Sequence, residues 1–203
     1  MQSITEDPTA SSLAAASIDH ASIDQQSGAH EHTGIETDAP GFDARDLRSA
    51  FGQFATGVTV VTTTTPSGER VGVTANSFTS LSMDPPLVLW CPGRHLRSLP
   101  AFEEASHFAI NVLASDQHEL SRRFAVGASD KFSGVEVREG IAGLPLIPGT
   151  LATFECETVA RHEAGDHVIY IGHIRRYAHT SAEPLVFHGG RYHDTTTHKA
   201  EGS

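Results

Sequence analysis

With 203 residues and 38% hydrophobic side chains, the chain has room for one folded domain with a real core and little for a second. Residues 1–40 hold no Lys or Arg and seven acids (Glu6, Asp7, Asp19, Asp24, Glu31, Glu36, Asp38), so the rest of the chain keeps only −4 of the formal −11 and shows no basic face for nucleic acid. No run of about eighteen apolar residues exists to span a membrane, and two cysteines, Cys91 and Cys156, are too few for a disulfide framework and too scattered for zinc, which leaves reduced core thiols in a cytoplasmic protein.

In chain order, residues 1–40 come first, rich in Ala, Ser, Gln, Thr and Gly, with an imperfect repeat, Ala16-Ser-Ile-Asp19 and Ala21-Ser-Ile-Asp24. Such a stretch buries too little apolar area to offset its ordering entropy and reads as a disordered acidic tail. It lacks the basic start and apolar run of a signal peptide. A folded domain is expected over residues 41–193, and a flexible tail over 194–203.

From Asp43 to Phe54, Leu47, Ala50, Phe51 and Phe54 recur at helical spacing and predict an amphipathic helix ended by Gly57. The β-branched run Val58 to Thr65 predicts a strand, Pro66 to Glu69 a tight turn, and Arg70 to Ala75 the hairpin partner. After Asp84-Pro-Pro86, where neither proline suits a central strand, Leu87 to Cys91 reads as a short buried strand. A two-turn helix follows at Ser98 to Ala105, then a strand at Phe108 to Leu113. Asp116 and Glu119 stand at capping-box spacing ahead of a second helix through Leu120 and Phe124. Beyond the Gly- and Pro-rich stretch 140–149, Ala152, Phe154 and Cys156 alternate with Thr153, Glu155 and Glu157, the period of a half-buried strand. His167 to Ala178 predicts a long strand and Leu185 to Tyr192 a final one. Many β-runs with few helices predict a mainly β barrel or sandwich and argue against regular β–α alternation.

The segment from Val71 to Ser82 carries the chemical interest. A strand runs out into a loop holding Thr74, Asn76, Ser77, Thr79, Ser80 and Ser82, with Phe78 and Leu81 among them. A flat ring with apolar faces and a polar rim suits that mixture, because backbone amides and Asn or Ser side chains pair with the rim while small residues permit close approach. A Ser/Thr-rich turn making its own hydrogen bonds is the competing reading.

Phe54-Ala-Thr-Gly-Val-Thr-Val-Val61, Gly72-Val-Thr-Ala-Asn-Ser-Phe-Thr-Ser-Leu-Ser82 and Pro85-Pro-Leu-Val-Leu89 together resemble the short-chain flavin reductases, the reductase partners of two-component flavin monooxygenases. Further matches follow in order: Phe108 to Leu113, Ser121-Arg-Arg-Phe124, Asp130-Lys-Phe132, Gly165-Asp-His167, Pro184 to Phe187, and Arg191-Tyr192. The resemblance covers about Phe42 to His193.

It implies an FMN-binding split β-barrel of Greek-key type with a few short flanking helices, a homodimer, and a flavin near the subunit interface. Thr56, Gly57 and Val58, with Thr74, Ala75, Asn76 and Ser77, are then expected at the isoalloxazine. Ser80, Leu81 and Ser82 are expected along the ribityl and phosphate portion, with Arg97, Ser98, Lys131 and Phe132 as further candidates. Lys131 would bring charge to the phosphate and Phe132 an apolar wall; an ordinary surface lysine and core phenylalanine compete with these roles. His167 is expected at the nicotinamide, donating to the carboxamide or a ribose hydroxyl and fixing the hydride donor above the flavin. Arg191 and Tyr192 would hold the adenine or pyrophosphate half.

Thirteen histidines invite a metal reading, yet His162 and His167 stand five apart across a Gly-Asp turn, a spacing that suits neither a helix face nor a strand face, and no metal site is expected. No Gly-x-Gly occurs, so neither the dinucleotide fingerprint nor a phosphate loop is available, and a nicotinamide cofactor would dock weakly in an open groove. The expected activity is hydride transfer from NADH or NADPH to FMN or FAD, with reduced flavin leaving for a separate monooxygenase and the protein supplying position. Two rivals share the fold: a non-catalytic flavin- or haem-binding barrel, and a reductase of another acceptor, such as ferric iron or a corrinoid, through bound flavin.

Overall fold

The computed structural model describes residues 41, 43–127 and 130–195, so the acidic tail and most of the C-terminal tail lie outside the described residues. Helix α1 (Ala44–Phe51) begins where Asp43 Oδ1 accepts the backbone N–H groups of Arg45 and Asp46 at 2.8 and 2.9 Å. It stops at Gly52, earlier than the apolar spacing predicts, and Phe54 projects from the turn beyond. Next come β1 (Thr56–Gly57), β2 (Thr59–Thr64), β3 (Arg70–Ala75), β4 (Thr79–Met83), β5 (Pro86–Trp90), α2 (Leu99–Glu104) and β6 (His107–Val112). A 3₁₀ turn, Ser115–Gln117, leads into α3 (His118–Ala125). The chain continues with β7 (Arg138–Glu139), β8 (Pro145–Leu146), β9 (Ala152–Ala164), β10 (His167–His179), β11 (Val186–His188) and β12 (Arg191–His193).

Seven strands form one antiparallel sheet in the order β3-β2-β6-β9-β10-β5-β4, and β1, β11 and β12 form a second, smaller one. Laid flat, β3 and β5 would stand roughly 24 Å apart at about 4.8 Å per strand. Yet Val73 and Ala75 of β3 share one core cluster with Val88 and Trp90 of β5, joined by Val61, Phe108, Ile110, Cys156 and Tyr170. The sheet is therefore curled about its own inner face into a barrel, split between the edge strands β3 and β4. A second cluster (Val58, Val60, Leu113, Phe124, Ile147, Leu185, Phe187) covers the outer face of β2, so successive valines, Val60 and Val61, feed different cores. That double burial explains the continuous β-branched run. Gly172 sits where strand β10 crosses the inner core: a Cβ there would lie 2.4 Å from Phe108 Cζ and 2.8 Å from Cys156 Cβ.

Four expectations need correction. Thr79–Met83 is a strand, not loop: β4 pairs with β5 through Thr79–Leu89, Ser80–Val88 and Ser82–Leu87, with Leu81 bulged out between the last two. Its polar edge residues give no alternating pattern to read. The final segment is a hairpin, not one strand, because Gly189 and Gly190 (φ 56° and 80°) turn β11 back as β12. Asp116 and Glu119 form no capping box; Gln117 Oε1 instead accepts the Ala114 N–H at 3.1 Å. Glu155 is not solvent-facing: it points to the outer face as the alternation says but is buried there under the loop through Ile141, with Oε2 accepting the Ile141 N–H at 2.6 Å and Oε1 3.6 Å from Arg176. Pro86 is the first residue of β5 and pairs only with Met83, which is how a proline enters this strand. Among the described residues no helix is long and apolar enough to cross a membrane.

Candidate functional site

The barrel's split brings most of the sequence-nominated residues together. Thr59 pairs with Ala75 at the end of the β2–β3 ladder, so Thr56–Val58 and Ala75–Ser77 leave it side by side. Val58 and Ala75 are buried, Asn76 and Ser77 half-buried, and Gly57 exposed with open space where a Cβ would sit. Thr74 is buried and its hydroxyl donates to the Ser121 carbonyl at 2.6 Å, leaving only its backbone to a ligand. Ser77 Oγ accepts the Cys91 N–H at 3.0 Å and donates to the Cys91 carbonyl at 3.2 Å, clamping the loop to the end of β5. Ser80, Leu81 and Ser82 follow on β4, the exposed lip of the split.

Past Cys91 the chain meets the β9–β10 turn. Val168 N–H donates to Pro92 O at 3.0 Å, Arg94 N–H to Asp166 O at 2.8 Å, and Gly93 bridges His167. Residues 91–94 therefore tie the flavin-type loop to the nominated nicotinamide histidine. His167 is half-buried, and its Nδ1 lies 2.7 Å from Asp166 Oδ1. The hydrogen bond to His167 holds the Asp166 carboxyl below the usual carboxylate range. Asp166 stands in the Gly-Asp-His motif, and only the side-chain contact reveals a role for it.

Buried polar atoms without a hydrogen-bond partner among the described residues include Thr56 Oγ1 on β1 and Ser98 Oγ just ahead of α2, together with Trp90 Nε1 and Tyr170 Oη in the core. Orphaned buried donors are rare and need an explanation, and a ligand with carbonyl, imide and phosphate oxygens supplies one. Thr56 and Ser98 were both nominated from sequence, so the residues present fit a flavin. Arg97, beside Ser98, is exposed, with its Nη1 3.9 Å from where a Cβ on Gly127 would lie.

The remaining candidates lie elsewhere, around α3. Lys131 Nζ donates to Phe124 O at 2.8 Å and Gly72 O at 3.3 Å, and burial pulls its ammonium down. Phe132 packs edge-on against Phe124, ring centroids 5.0 Å apart. Tyr192 donates its hydroxyl to Ser121 Oγ at 2.9 Å and stands edge-on to Phe187, while Arg191 is exposed on β12. These side chains brace β3, α3 and β12, and Ser121 links them to the split-line set, its carbonyl accepting the Thr74 hydroxyl and its Oγ the Tyr192 hydroxyl. A groove of about 650 Å³ between α3, residues 134–136 and Ile147–Pro148 contains none of the nominated residues.

A split antiparallel barrel whose seam gathers small polar residues is a binding fold for a flat ligand with a polar rim. Residues 51–196 match the flavin reductase like domain, and the chain belongs to that family. The FMN reductase (NADH) SmoA of Agrobacterium fabrum is 51% identical over 152 residues, 75% of this chain and 86% of that protein. The reductase subunit HsaB of a flavin-dependent monooxygenase from Mycobacterium tuberculosis is 40% identical over 153 residues, 74% of this chain and 81% of that one. Among solved structures, the Streptomyces globisporus NADH:FAD oxidoreductase SgcE6, in complex with NAD and FAD fragments, gives a TM-score of 0.72 at 39% identity, covering 78% of this chain and 98% of that chain.

Proposed function

We propose that this chain is an NADH-dependent flavin reductase that passes reduced FMN or FAD to a separate monooxygenase. The family match over residues 51–196 carries the reading, and the unpartnered buried Thr56 and Ser98 hydroxyls support it. Flavin, when bound, supplies the hydride acceptor; everything else falls to positioning. Thr56–Val58 and Ala75–Ser77 flank the ring, Ser80–Ser82 and Ser98 follow the ribityl and phosphate portion, and Arg97 supplies charge to the phosphate. Lys131, Phe132 and Tyr192 act from behind, by holding β3 and β12 against α3. His167 meets the nicotinamide, and exposed Arg191 reaches the distal half of the dinucleotide.

The working unit is a homodimer. Leu81 and Met83 on β4 are 46% and 91% exposed, an apolar lip beside the flavin that a second copy covers. Two free thiols suit a reducing, cytoplasmic setting. The test is NADH oxidation by the purified protein with FMN and FAD in turn: flavin-dependent turnover is expected, and none with either flavin, using NADH or NADPH, overturns the reading.

A further inference from the structure

Gly165 (φ 62°) turns β9 into β10 and leaves Asp166 and His167 adjacent at the start of the returning strand. The backbone there is already fixed on both sides, by Arg94 N–H on the Asp166 carbonyl and by Val168 N–H on the Pro92 carbonyl. What the backbone leaves open is the state of the His167 ring: its rotation and which nitrogen carries the proton. The Asp166 carboxylate bears on both. It only accepts, so the ring nitrogen 2.7 Å away is the protonated one. The cation beside it, Arg94, is paired instead with Glu163 at 3.3 Å and does not compete for the carboxylate. With Nδ1 on the carboxylate, Nε2 is the ring nitrogen turned away from Asp166, and in the neutral imidazole it is an acceptor.

We propose that Asp166 is a positioning residue that holds His167 as the Nδ1–H tautomer, so that Nε2 accepts a hydrogen bond from the carboxamide N–H or a ribose hydroxyl of the docked nicotinamide nucleotide. This reverses the polarity expected from sequence, where the histidine donates. It rests on the reading that His167 meets the nicotinamide.

The test compares the wild type with Asp166→Ala, Asp166→Glu and His167→Ala. Ring ¹⁵N shifts of His167 in the flavin-free protein report the tautomer without turnover, and steady-state kinetics give the KM for NADH beside the Kd for FMN. In Asp166→Ala the ring is expected to move to the Nε2–H form. KM for NADH is expected to rise about five-fold, the worth of one hydrogen bond, with no matching rise in the FMN Kd, and Asp166→Glu should restore part of both signals. An unchanged ring spectrum or KM in Asp166→Ala overturns the proposal, as does a parallel loss of FMN affinity, which marks a merely structural role. If His167→Ala raises KM and Asp166→Ala does not, positioning fails while the nicotinamide role stands. If His167→Ala leaves KM unmoved, the nicotinamide role itself falls.

Discussion

Thr56 and Ser98 carry hydroxyls that the fold buries without a partner among the described residues. A buried hydroxyl without a partner costs the free protein stability, so Thr56→Val, which keeps the shape and removes the hydroxyl, should raise the melting temperature of the flavin-free protein while weakening flavin binding about five- to ten-fold. Calorimetry with and without FMN measures both; a variant that loses stability and keeps full affinity would show the hydroxyl to be structural. Cys156 offers a second residue-scale test. Burial, with help from Glu155, pushes its thiol up to about 12 from an ordinary 9.0. The fold thus favours the protonated thiol, and above pH 9 the unfolded chain alone releases that proton. Stability should fall as pH rises from about 9 toward 12, by at most about 1.4 kcal/mol per pH unit from this group. Denaturant midpoints of wild type and Cys156→Ala should therefore converge over that range, and parallel curves would refute the assignment.

At the scale of elements, the strands legible in the sequence were those with a chemical reason to be strands. The β-branched run of β2 is buried on both faces, and β3 and β10 begin where the sequence places them. The misreadings occur where neighbours decide. Ser80 and Ser82 look like loop residues, yet β5 offers a free edge and draws them into β4. Glu155 looks solvent-facing by alternation, and only the loop folded over it, with Ile141 N–H pointing inward, makes its burial tolerable. The glycines of β3 and β10 are close-approach positions that no local pattern announces. Gly172→Ala should place a methyl against Phe108 and Cys156, costing about 2 kcal/mol and lowering Tm by roughly 4–8 °C. A thermal shift below one degree would show that the core yields there.

For the whole molecule, the split of the barrel matters most. Closing a seven-stranded sheet around one core leaves β3 and β4 unpaired with each other, and Thr74 and Ala75 stand on one of those strands and Ser80, Leu81 and Ser82 on the other. An exposed apolar lip there is an interface in waiting. Met83→Asp should shift the protein from dimer to monomer in sedimentation and weaken flavin binding with it, since Met83 touches little within its own chain. A variant that stays dimeric and binds flavin normally would move the interface elsewhere.

Family, chemistry and most strands were determined by the sequence itself, because these follow from local composition and short ordered motifs such as the Ser/Thr/Asn stretch and Gly165-Asp-His167. Tertiary structure alone decided what each nominated side chain touches. Lys131 and Tyr192 stand in the same run of motifs as the rest, yet their polar atoms are drawn to the carbonyls of Phe124 and Gly72 and to Ser121. Residues 91–94, unremarkable in sequence, join the Ser77 hydroxyl to the Asp166–Val168 turn through hydrogen bonds of their own backbone. Backbone partners and burial depend on neighbours distant in the chain, and no local pattern encodes them.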